Sequence, residues 1–260
     1  MIPTSVQEDC VVPQAKEPRS RVRMAMLLCA GAAIAGLLLA LAPRITRTIR
    51  TSYHAALFRS PDYDNMDGRH NHRRSLEAMG ASGAAVFRES LADPRPDVRA
   101  QAILGLAALD VTPDDEMLRL VDDESQEVRL AAFAALLRLG CHDLERRAMA
   151  EVMRQPADFR SSVHQMDLLR VLADRRVAGA VVLLVEGMGS DKRWWRDDCY
   201  AYLVGLVGEP KHLALLDSAE GVDGLIEHGV QAEIRQWWTE ARGAGTWRVL
   251  APQDAGRQQP

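Results

Sequence analysis

One pattern constrains this 260-residue chain more than any other: a stretch that repeats itself thirty residues later. Asp93, Asp97, Val98, Arg99, Ala102 and Leu106 recur as Asp123, Glu127, Val128, Arg129, Ala132 and Leu136. Each stretch has an apolar residue, an Asp, a turn, an acid, Val and Arg, then apolar residues at helical spacing after the Arg. Self-similarity at this period marks a repeat architecture, because one such unit cannot bury its apolar stripe alone and stacking becomes obligatory. Ala100, Ala102, Ala107, Ala131, Ala132 and Ala134 permit close helix approach, while Leu104, Leu106, Leu130 and Leu136 supply volume. Asp97 and Glu127, near the expected helix starts, suit the helix dipole. With only five Trp, four Tyr and four Phe, the chain lacks the aromatic residues on which sandwiches and barrels lean.

The pattern decays in both directions but remains traceable. Upstream, Arg69 leads to Leu76 and closes at Gly80, matching Arg129, Leu136 and Gly140. Downstream, Phe159-Arg160, Trp195-Arg196 and Ile234-Arg235 occupy the Val-Arg slot. Between them lie apolar helices such as Leu144–Met153 and Val177–Met188, and a first helix is expected around 44–59. The expected fold is all-α, a solenoid of five to six helix pairs over residues 43–242, with a flexible tail over 243–260 that Trp247 could anchor.

On the residues Asp93-x4-Val98-Arg99 and Asp123-x4-Val128-Arg129, each followed by Ala at three and Leu at seven, the chain resembles the HEAT-like repeat family. The likeness is to its short variety, related to phycobilisome-lyase-type repeats. It covers about 70% of the chain loosely and residues 84–140 tightly. The resemblance implies a right-handed stack of antiparallel helix pairs. It also implies that the turn Asp and the helix-start Arg, here Asp93, Arg99, Asp123 and Arg129, bond from one repeat to the next as a structural ladder. Arg154, Ser190 and Gly229 stand where the Asp belongs in later units, so the ladder should be irregular there. Bilin-lyase activity, the family's enzymatic association, has no identifiable residues here to carry it.

Ahead of the repeats, residues 24–42 contain no charged and no strongly polar side chain. The twenty uncharged residues between Arg23 and Arg44 reach about 30 Å as a helix, the thickness of a bilayer core. The expectation is one transmembrane helix at 24–42 behind a disordered tail at 1–23. Ala40-Leu41-Ala42 resembles a signal-peptidase site, but the apolar run is long and Pro43 would become the first mature residue, so an uncleaved anchor is the reading. Lys16, Arg19, Arg21 and Arg23 balance Arg44, Arg47, Arg50 and Arg59, a tie in the positive-inside count. The short tail before the span tips the expectation toward a cytoplasmic N-terminus. Arg44, Arg47 and Arg50 share one side of a helix, either as headgroup contacts or as ordinary stop-transfer charge. Ala32 and Gly36, four apart, would let two anchors pack as a homodimer, a spacing that abundant Ala and Gly also produce by chance.

The net charge of −4 conceals a division. Residues 1–60 carry eight Lys/Arg against three acids, whereas residues 61–260 carry 24 against 33. The acidic remainder lacks the basic stripe that phosphate neutralisation demands, so no nucleic-acid partner is expected. There is no Gly-rich phosphate loop, zinc-protease helix or nucleophile elbow. Asp62, Asp64, Asp67 and Gly68 glance at a calcium loop, but Met66 holds a ligand position, the Gly comes late and Arg73 replaces the closing Glu. His70 and His72, two apart, do not share a helix face, and a solvated turn is expected there. Cys10, Cys29, Cys141 and Cys199 form no C-x-x-C pair. No catalytic residue, metal site or cofactor is therefore expected.

All five Trp lie in the last quarter of the chain. Trp195 shares a register slot with Ile234, and Trp238 with Cys199, which makes one Trp of each adjacent pair core. Trp194 and Trp237 then face outward, either as parts of an atypical cap or as anchors for a partner. The expected function is a single-pass membrane protein whose helical stack is a non-catalytic protein-interaction scaffold. The alternative is an enzyme accessory or divergent lyase-like protein holding a small molecule, and a third possibility is assembly through paired anchors.

Overall fold

The computed structural model describes residues 40–60, 66–154, 162–218 and 221–249, and all regular structure among them is helical save one isolated β-bridge. Two compact units divide after Ser52. In the first, the described residues 40–52 are helical, with Ile45, Ile49, Arg44, Arg47 and Arg50 exposed. Thr48 and Thr51 donate their hydroxyls to the carbonyls of Arg44 and Arg47 one turn back, at 3.0 and 2.9 Å. Among the described residues no helix is long and apolar enough to cross a membrane. The expected span at 24–42 lies outside them except for its last three residues, as do Ala32 and Gly36.

The second unit begins at Tyr53, inside the helical run α1 (40–58). From there the helices come in sequential pairs. α2 (Met66–Glu77) is followed by α3 (Ala81–Ser90) with α4 (Pro96–Ala108), and α5 (Asp115–Arg119) with α6 (Gln126–Arg138). Then come α7 (Glu145–Met153) with α8 (Val163–Asp174) and α9 (Ala178–Gly187) with α10 (Arg193–Val207). Three helices close the series: α11 (Pro210–Leu216), α12 (Gly221–Glu227) and α13 (Val230–Gly243). Packing runs mostly between neighbours. The even-numbered helices α2, α4, α6, α8 and α10 stack in order, and each odd-numbered helix from α3 to α9 lies against the even helix that follows it. This is the arrangement that a unit too small to bury its own stripe requires.

The period is written in the backbone as well as in the side chains. Helices α2, α4, α6, α8 and α10 are followed by Gly80, Asp110, Gly140, Arg176 and Gly208, all with positive φ. Three of these ends are built alike. Val111, Cys141 and Val177 donate their N–H groups to the carbonyls of Leu106, Leu136 and Leu172, at 3.1, 3.0 and 2.9 Å. The left-handed residue before each donates to Ala107, Leu137 and Ala173. This is the Schellman closure, which satisfies the last carbonyls of a helix and turns the chain back. Leu76, Leu106, Leu136 and Leu172, four residues before the turn in each case, are fully buried. Glycine adopts this conformation without cost; Asp110 and Arg176 hold it against side-chain crowding.

Close helix approach rests on small residues. A Cβ on Gly105 of α4 would lie 2.5 Å from the Phe87 ring of α3, and one on Gly187 of α9 would lie 2.4 Å from Cys199 Sγ of α10. Phe58 packs edge-on against Phe87 at 5.6 Å, and the Arg59 side chain donates to Ser90 Oγ and the Val86 carbonyl at 2.9 and 3.0 Å. Together these contacts fasten the end of α1 to α3.

Candidate functional site

The turn before each even helix positions the charged residues singled out above. Asp93 Oδ1 accepts the N–H of Arg95 at 3.0 Å, and Asp123 Oδ1 that of Ser125 at 2.8 Å, two Asx turns that open α4 and α6. From inside those helices, Arg99 Nη1 donates back to the carbonyls of Asp93 and Pro94, and Arg129 Nη1 to those of Asp123 and Glu124. The free edge of Arg99 then reaches the next turn. Its Nε and Nη2 donate to the two carboxylate oxygens of Asp123, at 3.0 and 2.8 Å, with both side chains no more than 10% exposed. Such a fork is the strongest ion-pair geometry available to Arg.

Arg129 has no third Asp to meet, since Arg154 occupies that position. Its Nε and Nη2 donate to Oε1 of Glu151, one turn earlier in α7, at 3.0 and 2.8 Å. Upstream, Arg69 pairs with Asp97 of α4, not with Asp93, while Asp93 is held by Arg95 of its own turn. Burial raises the Asp93 carboxyl, and the bonds from Arg95 bring it below the ordinary carboxylate range. Ser190 keeps half of the missing Asp's task, accepting the N–H of Lys192 at 3.2 Å, while Arg196 turns to its neighbour Asp197 at 3.1 Å. A second row runs beside the first. The second residues of α4, α6 and α8 are Asp97, Glu127 and His164, and buried His164 sits 3.0 Å from Glu127 Oε1.

Among the described residues, ring contacts sort the five tryptophans into two groups. Trp194 lies edge-on to Trp195 at 5.8 Å at the start of α10; Trp195 is buried beside Gly187, whereas Trp194 is 43% exposed. Trp237, Trp238 and Trp247 form the other group, with centroids 5.1 to 6.4 Å apart. Trp238 and Trp247 are buried, and Trp237 is half-buried against them. The structure therefore does not bring Trp194 and Trp237 into one patch of touching rings. Around Trp194 the surface is polar: Arg193 bridges Asp197 at 3.4 Å and Asp223 of α12 at 3.0 Å. Exposed Ile226 follows Asp223 by one helical turn.

Beyond α13, Trp247 is buried and Arg248 bridges to the α8–α9 turn; residues 250–260 lie outside the described ones. Trp247 sits under the Arg176 guanidinium, 5.0 Å from its ring centroid. Arg248 meets the carboxylate of Glu145, which Arg175 also holds, with His142 Nδ1 3.8 Å away. A surface depression of about 480 Å³ opens there, lined by His142, Asp143, Glu145, Arg146, Arg248 and Val249. Neither Trp194 nor Trp237 lines it.

Cys199 is buried, and that burial, with Asp198 nearby, pushes its thiol up to about 12; Cys141 is also raised by burial. A thiol that stays protonated is a packing group, not a nucleophile. His72 meets His54 of α1, Nδ1 to Nδ1, at 3.2 Å. Among the described residues no three metal-binding side chains gather. The calcium-like stretch at 62–68 and the Phe159-Arg160 slot lie outside the described side chains. Compared with known proteins, the chain fits no family model and matches no curated protein.

Proposed function

We propose that this chain is a single-pass membrane protein whose helical stack, of the short HEAT-like kind and right-handed, is a non-catalytic docking scaffold for a protein partner. The observation that carries the reading is Trp194: a large apolar side chain 43% exposed at the start of a long helix, braced edge-on by buried Trp195. A rigid aromatic in a polar surround is the anchor that protein interfaces use most. The ion pairs Arg99–Asp123 and Arg129–Glu151 act as struts between repeats and are not offered to a substrate. Attachment rests on the apolar run 24–42 and on the exposed arginines of the helix that follows it. The N-terminus lies on the cytoplasmic side, and the stack on the other. A second reading, small-molecule holding, is favoured only by the depression beside Glu145 and Arg248.

Carbonate extraction tests the anchor and a reporter after Pro260 tests its direction; release of the chain, or a cytoplasmic signal, contradicts the respective part. A photoreactive amino acid at position 194 tests docking. It is expected to yield one discrete adduct in native membranes, and no adduct above that of the same probe at exposed Ala108 contradicts it.

A further inference from the structure

The contacts of Trp247 and Arg248 are those of a bound peptide and not of a loose end. After α13 the chain turns at Gly245, φ +72°, and runs alongside the turn between α8 and α9. Arg248 donates its N–H to the Arg176 carbonyl at 2.7 Å and accepts the N–H of Ala178 at 3.0 Å, one parallel β-bridge. Trp247 fills a hollow between Trp238, Trp237 and the Arg176 guanidinium. The Arg248 side chain donates at 2.8 Å to Glu145, a carboxylate only 5% exposed. Strand addition plus two side-chain pockets is how peptide sites obtain affinity and selectivity.

Two features bear on how the strap is held. Glu145 retains Arg175 at 2.8 Å, so lifting Arg248, whose side chain is 52% exposed, strands no buried charge. Arg175 and Arg248 share the one carboxylate; burial disfavours the Arg175 charge most, and the nearby Arg248 cation opposes it further. The other feature is Arg176 itself. The equivalent turns after α4 and α6 use Asp110 and Gly140; here the left-handed residue is a bulky Arg at φ +62°, whose carbonyl and guanidinium meet the strand and the indole. Strain kept at such a point is matched by what the residue contacts.

We infer that the α8–α9 turn, with Glu145 and Trp238, is a binding site for an extended peptide carrying an aromatic residue followed by Arg, occupied in cis by Trp247 and Arg248. A partner protein presenting that chemistry displaces the strap. The inference stands apart from the docking role of Trp194, which lies in the other group of rings.

The test uses the full chain carrying Trp247→Ala and Arg248→Ala, and a fluorescent peptide of the sequence Gly-Thr-Trp-Arg-Val. A cis segment competes at about millimolar effective concentration, so wild type should bind the peptide at least about tenfold more weakly than the double variant. Adding Glu145→Gln should cost the variant about tenfold, and a peptide with Glu in place of Arg should not bind. Amide exchange at Ala178 should quicken in the variant and slow again with peptide. The inference is overturned if the folded variant binds no peptide, if wild type binds it equally well, or if Ala178 stays protected in the variant. Should the double variant unfold, Arg248→Ala alone, which leaves the Trp247 packing intact, must still show tighter peptide binding than wild type; its failure to do so overturns the inference.

Discussion

Replacing Asp123 with Ala removes the carboxylate that joins the two best-matched repeats. Arg99 loses two charge-assisted bonds of 3.0 and 2.8 Å, and the Ser125 N–H loses its 2.8 Å acceptor. What remains for the guanidinium is the pair of carbonyls at Asp93 and Pro94, and Glu124, whose Oε1 is 3.7 Å away. An uncompensated charge at a site about 10% exposed costs about 3–5 kcal/mol, against under about 1 kcal/mol for a solvated pair. Because Glu124 can swing toward Arg99, the expected loss is at the lower end, about 3 kcal/mol. Urea unfolding of the full chain, followed by circular dichroism, measures it. The decisive companion is Arg99→Met in the same chain: with no charge left to strand, the double variant should be more stable than Asp123→Ala alone. A loss under about 1 kcal/mol, or a double variant less stable than the single one, refutes the reasoning.

Other outcomes follow from the same structure. Asp110→Gly should raise stability by about 0.5–1 kcal/mol, since Asp110 holds φ +51° and its side chain is exposed; a loss contradicts the strain argument. Cys199, with its thiol pushed up to about 12, should resist alkylation in the folded chain at about pH 8 and react once urea unfolds it, as peptide mapping would reveal. The hydrogen bond from His164 holds the Glu127 carboxyl below the ordinary carboxylate range, against burial and aided by Arg69. A carboxyl so depressed stabilises the fold above its unfolded pKa and loses that contribution as pH falls through its folded value. The stability gap between wild type and His164→Ala should therefore narrow on acidification below about pH 4; a constant gap contradicts it.

The repeat was legible where one turn and one helix carry it whole, as at Asp93 to Leu106 and Asp123 to Leu136. Local spacing suffices there, and it identified the class of fold. It faded where the same task passes to another residue type. Arg176 closes α8 as Gly140 closes α6, but an Arg carries no signal for a left-handed turn. Glu151 serves Arg129 from within a helix instead of from the turn, so the next turn position holds Arg154 where the pattern has Asp. For the tryptophans, helical register separated buried Trp195 and Trp238 from exposed Trp194; Trp247 could be read as an anchor, but its return over Trp237 from beyond α13 could not be read. The pairing of Arg248 with Glu145 spans 103 residues and has no periodic trace. Contacts of that kind depend on the finished stack.

Proximity labelling from the C-terminus of the full chain, in intact cells, tests the central claim most directly when wild type is compared with Trp194→Ala at equal abundance. The account predicts that the variant stays folded and membrane-bound while one or more labelled proteins disappear. An unchanged set of labelled proteins would contradict a docking role for Trp194 and return it to packing alone.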